Sequence, residues 1–302
     1  MRKVVEKMEQ KNEVIKWLLE GTHPEVKLRT LKELCGYDNN NLDVIKAKEE
    51  LLQSSLYEIA LDKLKGEKKW GKYDALISLA EWGLTREDMD IDDYVFSLIE
   101  ETGFKMMCGE GLLLRNLVKL GYYKEPIVKE EVNSMFMKLK SDGGFGCISK
   151  NKKINDPAKA HKSCVKITFG YLLLLAELKL LDVQIECEEQ LVNYFTKRNI
   201  FYRTDDMSSI MVPVMTETFY PLDAIQVGVQ NLMYALSILG QGESEAVQEG
   251  WKYLSLKRDS DGFYKLSKTK TVPAFKPGAK NKPNKWITLY ALLIEKEMKC
   301  SR

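Results

Sequence analysis

Six segments of this 302-residue chain are helix-length and apolar on nearly every side: Val26–Cys35, Tyr73–Trp82, Glu110–Leu120, Cys164–Leu178, Asp223–Leu239 and Trp286–Glu297. A helix of that kind cannot rest at a surface and must be sandwiched between other helices. Each follows a segment with one apolar stripe and one charged face: Val4–Leu19, Leu42–Lys65, Asp92–Glu101, Ile127–Leu139, Ile185–Lys197 and Ser244–Leu256. Pairs that recur at roughly 40 to 60 residues mark stacked helical hairpins. The pattern predicts an all-α chain, with the apolar segments as an inner layer and the amphipathic ones as an outer layer. About six hairpins can close into a ring, which buries the terminal faces that an open solenoid must cap. Residues 1–302 read as one domain.

The connections are unequal. Turns leaving inner segments are short, as at Gly121–Pro126 and Gly240–Gly242, whereas those entering them are long: Ser141–Ser163, Arg198–Leu222 and Asp259–Lys285. Long loops in a compact domain are usually functional. In an alternating ring they fall together at the end where inner helices begin, and the positive poles of the helix dipoles there favour an anionic ligand.

Composition narrows the partners. Lysine and arginine (46) nearly balance aspartate and glutamate (44), and no nucleic-acid motif appears, so a nucleic-acid partner is not expected. The longest apolar stretch, Phe169–Ala176, is far short of the roughly 20 residues of a membrane span. The charged N-terminus is unlike a signal peptide, and the expected location is the cytoplasm. Irregular spacing of the six cysteines argues for reduced thiols or a metal site rather than a disulfide framework.

Two outer segments run into Lys140-Ser141-Asp142-Gly143-Gly144-Phe145 and Arg258-Asp259-Ser260-Asp261-Gly262-Phe263. Glycine supplies the positive backbone angle that ends such a helix, and an aromatic ring can wedge between hairpins. The turn resembles the aromatic repeat motif of squalene and hopene cyclases, found loosely in protein prenyltransferase β subunits. Leu139 stands where the cyclase motif has glutamine, and phenylalanine replaces its tryptophan. The closing stretch Lys282–Leu289 and the cysteine-rich centre are similar to uncharacterised prokaryotic members of that superfamily, over nearly the whole chain. The resemblance implies an α/α toroid whose central cavity takes a small molecule, with any activity of prenyltransferase or terpenoid-cyclase type.

Asp90-Ile91-Asp92-Asp93 matches the Asp-x-Asp-Asp motif with which type II terpenoid cyclases protonate an alkene, and makes Asp92 a candidate acid. Its position at the start of an outer helix predicts instead a cap and dipole partner. Cys108, Cys147 and Cys164 fall at corresponding places in consecutive units, with His161 three residues before Cys164. Thiolates and imidazole suit zinc, the one cofactor indicated, although buried cysteine is also common as plain packing. Prenyltransferase β subunits hold zinc with aspartate, cysteine and histidine; here Lys162 stands in the aspartate's place, so a zinc site would be a different one. Cys164, opening an inner helix, is also a candidate nucleophile, because a helix N-terminus lowers a thiol's pKa.

Lys162, Arg203 and Lys285 would serve a diphosphate at the mouth, and Tyr202, Tyr220 and Trp286 an isoprenoid chain or carbocation. Solvated surface and core packing are the plainer readings of the same residues. The expected partner is a small isoprenoid or anionic molecule. The rivals are a non-catalytic ligand- or peptide-binding toroid and a helical-repeat scaffold for another protein.

Overall fold

The computed structural model describes residues 2–104, 109–146, 162–219, 227–267 and 278–300. Thirteen α-helices run through these residues, which contain no strand and only isolated bridges such as Tyr202 with Ile210. They are α1 (Arg2–Leu19), α2 (Pro24–Arg29), α3 (Leu42–Leu52), α4 (Ser55–Lys65), α5 (Lys69–Glu81), α6 (Asp92–Thr102), α7 (Glu110–Lys119), α8 (Pro126–Phe136), α9 (Val165–Leu180), α10 (Glu188–Thr196), α11 (Val229–Leu236), α12 (Glu245–Ser255) and α13 (Lys285–Cys300). No helix among the described residues is long and apolar enough to cross a membrane.

Starts and stops follow local chemistry. Asn41, Ser54 and Ser244 accept backbone N–H groups of the first turns of α3, α4 and α12, and Pro24 and Pro126 open α2 and α8, where a missing N–H costs nothing. The expected single outer helix Leu42–Lys65 is two helices. The chain breaks at Gln53-Ser54, where the Ser54 hydroxyl accepts from Tyr57 N at 3.3 Å and restarts the helix. The inner segments α2, α5, α7, α9 and α11 each reach a left-handed residue, Gly36, Gly83, Gly121, Asp182 and Gly240 respectively, with φ between +58° and +96°. For α5 and α9 the N–H three residues past the helix closes back on it, from Leu84 to Leu79 O and from Val183 to Leu178 O.

Layering agrees with the apolar pattern. Every residue of α7 from Glu110 to Val118 and of α9 from Ile167 to Leu178 is buried, whereas α3, α4, α8 and α12 bury one stripe. Inner helices pack in succession, α5 on α7, α7 on α9, α9 on α11 and α11 on α13, and α13 packs on α2 and the turn after it. Arg29 of α2 reaches Glu81 of α5. The crossing of α7 and α9 is glycine on glycine: a Cβ on Gly111 would lie 3.2 Å from the backbone of Gly170, and one on Gly170 3.3 Å from that of Gly111.

Substituting Gly170→Val should therefore force α7 and α9 apart and cost about 1–3 kcal/mol, the usual penalty for overpacking. Chemical denaturation monitored by circular dichroism measures it. Gly36→Ala, where the added methyl meets nothing within 4 Å, should cost only the left-handed strain, about 1–2 kcal/mol.

Candidate functional site

The residues singled out from sequence are held by separate local partners. Asp92 opens α6 as an acidic residue of its first turn, although the N-cap is Ile91, and accepts hydrogen bonds from Tyr122 Oη at 2.6 Å and from Arg86 Nη2. Burial works against its charge, but these two donors hold the carboxyl below the usual range and so ionised. Cys164 is the half-buried N-cap of α9; its N–H donates to Phe145 O at 2.8 Å. Lys162 is exposed just before it, its carbonyl accepting from Lys140 Nζ at 3.3 Å. The Tyr202 hydroxyl donates to Glu249 at 3.2 Å, and Arg203 is exposed beside it.

Lys285 and Trp286 open α13. The Lys285 ammonium donates to Trp17 O at 2.6 Å, Leu18 O at 3.4 Å and Glu20 O, satisfying the carbonyls that α1 leaves open at its C-terminus. Burial lowers its pKa, in part offset by Glu20 and Glu25. Trp286 is 3% exposed and lies under Arg29, whose guanidinium carbon is 5.9 Å from the ring centre. Cys108, Cys147, His161 and Tyr220 lie outside the described residues. Of the expected zinc ligands only Cys164 is described, and the described residues contain no group of three or more His, Cys, Asp or Glu placed to hold a metal ion.

The two Asp-Gly turns are one structure used twice. Gly143 (φ +84°) and Gly262 (φ +95°) take the left-handed conformation. Phe145 N donates to Thr168 Oγ1, and Tyr264 N to Thr288 Oγ1, each at 3.0 Å. Cys164 N then donates to Phe145 O, and Asn284 N to Tyr264 O, each at 2.8 Å. The buried wedge opposite Phe145 is therefore Tyr264, and the sequence pairing of Phe145 with Phe263 is one residue out of register. Asp142 ties the first turn to the start of α9, accepting from Ser163 N at 2.9 Å and Ser163 Oγ at 2.5 Å.

What sequence reasoning missed is a charge network shared by the inner helices. Glu81, wholly buried on α5, accepts from Arg115 of α7, from Arg29 of α2 at 3.3 Å and from the Tyr290 hydroxyl of α13. Arg115 also donates to Glu177 of α9 at 2.7 Å, and the Lys119 ammonium lies 3.8 Å from Glu81 and 3.7 Å from Glu177. Arg29 donates to both oxygens of Glu33, and Tyr234 of α11 meets the Tyr290 ring edge-on at 5.3 Å. Each of the six inner segments thus contributes a side chain, and the three cations match the three carboxylates. In the five that reach a left-handed residue, these side chains stand two to seven positions before it, near the C-terminal end. The signal was legible: a lone charge inside otherwise apolar runs, as in ALISLAE and GLLLRNL.

Burial alone would raise the Glu81 carboxyl, but Arg115, Lys119 and Arg29 and the Tyr290 hydrogen bond outweigh it and bring the pKa down to about 2. Burial lowers Lys119, with Glu177 and Glu81 pulling the other way. The network sets three cations against three carboxylates and holds Glu81 and Glu33 in their charged forms. A narrow cleft toward the opposite ends of α5 and α7 is bordered by Trp70, Tyr73, Ile77, Gly109 and Leu113. There the Tyr73 hydroxyl donates to buried Glu110 at 3.1 Å.

Compared with known proteins, the chain matches no family model, no curated protein and no solved structure.

Replacing Glu81 by Gln should cost about 3–5 kcal/mol, since it leaves Arg115 and Arg29 without their shared counter-charge. The depressed pKa gives a sign. The contribution of Glu81 is fully present above its unfolded value of about 4.3 and is lost as pH falls through about 2. Urea melts across that window should show the wild-type chain losing stability more steeply on acidification than Glu81→Gln.

Proposed function

We propose that this chain is a closed α/α toroid that binds a small, partly apolar, anion-bearing molecule at the end where the inner helices begin. One observation carries the closed ring. At the first turn, Gly143 packs against Gln190 and Tyr194 of the next outer helix, α10. At the second, Gly262 packs against Gln10 and Val14 of α1, the same spacing on the first helix of the chain. The last hairpin therefore treats the first as its successor, just as α13 does in packing on α2. A closed ring is the arrangement in which both layers return to their start.

The binding end follows from the charge network. With three carboxylates and three cations set between inner helices, in most of them near the C-terminal end, an apolar ligand is favoured at the other end, where Trp70 and Tyr73 meet at the start of α5. Exposed Lys162 and Arg203 belong to the connections on that side and suit a diphosphate. This reading keeps the kinship to prenyltransferases and terpenoid cyclases suggested by the turn motif. It favours ligand binding over alkene protonation, because Asp92 is ionised and engaged by Tyr122 and Arg86.

Titration of tryptophan fluorescence with farnesyl diphosphate, farnesol and inorganic diphosphate tests it. Saturable binding of farnesyl diphosphate, weakened about tenfold for either fragment and by Arg203→Glu, is the expected result, tenfold corresponding to about 1.4 kcal/mol. Equal response to all three, or none, would discard the reading. Zinc is tested separately. Prior dialysis against chelator should leave this binding unchanged, whereas near-stoichiometric zinc lost in a Cys147→Ala, Cys164→Ala variant would make the mouth a metal site instead.

A further inference from the structure

The two Asp-Gly turns share their hydrogen bonding, yet the grooves beside them are filled differently. At the second turn, Arg258 Nη2 donates to Gln10 Oε1 at 2.9 Å and Gln10 Nε2 donates to Ser260 O at 2.8 Å, stitching turn to helix. At the first turn Leu139 stands in the place of Arg258 and has no group to bridge with. There a cavity of about 330 Å³ opens between the turn and α10, bordered by Lys140, Asp142, Gln190, Asn193, Lys197 and Arg198.

The lining decides what chemistry fits. Three cations face one carboxylate, and both Asp142 oxygens are already engaged, by Ser163 and by Gly144 N at 3.3 Å. Arg198 is fixed in place: it donates to Tyr194 O at 2.5 Å, and its guanidinium carbon lies 3.8 Å from the Tyr194 ring centre. Lys197 is exposed, and Lys140 is half-buried with its ammonium on Lys162 O at 3.3 Å, so two ammonium groups flank an anchored guanidinium. Gln190 and Asn193 add amide donors and acceptors, the complement of hydroxyl groups. The volume is at the lower end of the roughly 300–1,000 Å³ typical of small-molecule sites.

We propose that this groove binds a phosphate monoester of a small polyol, with Lys140, Lys197 and Arg198 on the phosphate and Gln190 and Asn193 on the hydroxyls. The site is local to one turn and one helix and does not depend on the ring being closed or on a ligand at the mouth.

Calorimetric titration of the full chain with glucose 6-phosphate, inorganic phosphate and glucose tests it. Saturable binding is expected for glucose 6-phosphate, weaker binding for phosphate, and none for glucose. Lys140→Glu and Lys197→Glu should each weaken it at least about tenfold, as for loss of a charge-assisted hydrogen bond. Asn193→Phe, which fills the groove without changing its charge, should abolish it, while Lys252→Glu, an exposed cation on α12, should leave it unchanged. If Asn193→Phe does not fold, the exposed Lys197→Glu decides the matter. Non-saturable binding, or an equal loss in Lys252→Glu, would reduce the effect to diffuse surface charge and overturn the proposal, as would equal affinity for glucose. Farnesyl diphosphate binding retained in Lys197→Glu separates this site from the mouth.

Discussion

Glu81 is the side chain on which the arrangement of the inner layer turns. A carboxylate with no access to water is tolerated only where opposite charge and hydrogen bonds replace its hydration. Here they come from Arg29, Arg115 and Tyr290, on three helices widely separated in sequence. Apolar burial drives these helices together but is indifferent to their rotation and register. One carboxylate that must satisfy three donors is not indifferent, and it fixes which faces of α2, α5, α7 and α13 meet. Glu177 extends the same demand to α9 through Arg115. The network thus acts as a registration device laid over a non-directional core.

The repeated turn carries a different constraint. Gly143 must be glycine twice over, for its left-handed angle and because the Gln190 carbonyl lies 2.6 Å from where a Cβ would stand. Gly262 has the same angle but softer neighbours, Arg258, Val14 and Gln10, at 3.2 to 3.3 Å. The two copies keep the glycine, the threonine that receives the next N–H and the buried ring. They differ in the residue one position before the turn, leucine in one and arginine in the other. Arg258 on Gln10 and Phe263 on Trp17 make the second turn a stitched interface, where Leu139 and Gly144 leave the first beside an open groove.

The helical layers were readable because burial on all sides and burial on one side leave different periodicities, and both survive in one sequence. The break between α3 and α4 was not, because leucines at 51, 52 and 56 continue the apolar stripe across it; the signal was Ser54, an N-cap inside an apparently unbroken helix. Register within the second turn was misread because Phe263 and Tyr264 are adjacent aromatics, and only the bond to Thr288 tells which is the wedge. Lys285 read as one more cation in a lysine-rich loop, and nothing local reveals that its partners are carbonyls about 265 residues away. Glu81 and Arg115 were visible as charges in apolar runs, but their pairing is a property of assembled helices. Four of the expected mouth residues, Cys108, Cys147, His161 and Tyr220, lie outside the described residues.

The cap that Lys285 places on α1 has a consequence for biosynthesis. The ribosome delivers α1 well before its partners: the ammonium that closes its C-terminus, the Trp286 surface over Arg29 and the turn that holds Gln10 all follow about 250 residues or more downstream. Domains made mostly of local contacts can fold progressively as they leave the exit tunnel. The α1–α2 hairpin cannot be finished until the start of α13 has been translated. Until α13 emerges, the last carbonyls of α1 lack the ammonium that caps them, so the start of the fold is completed only after a long stretch of elongation.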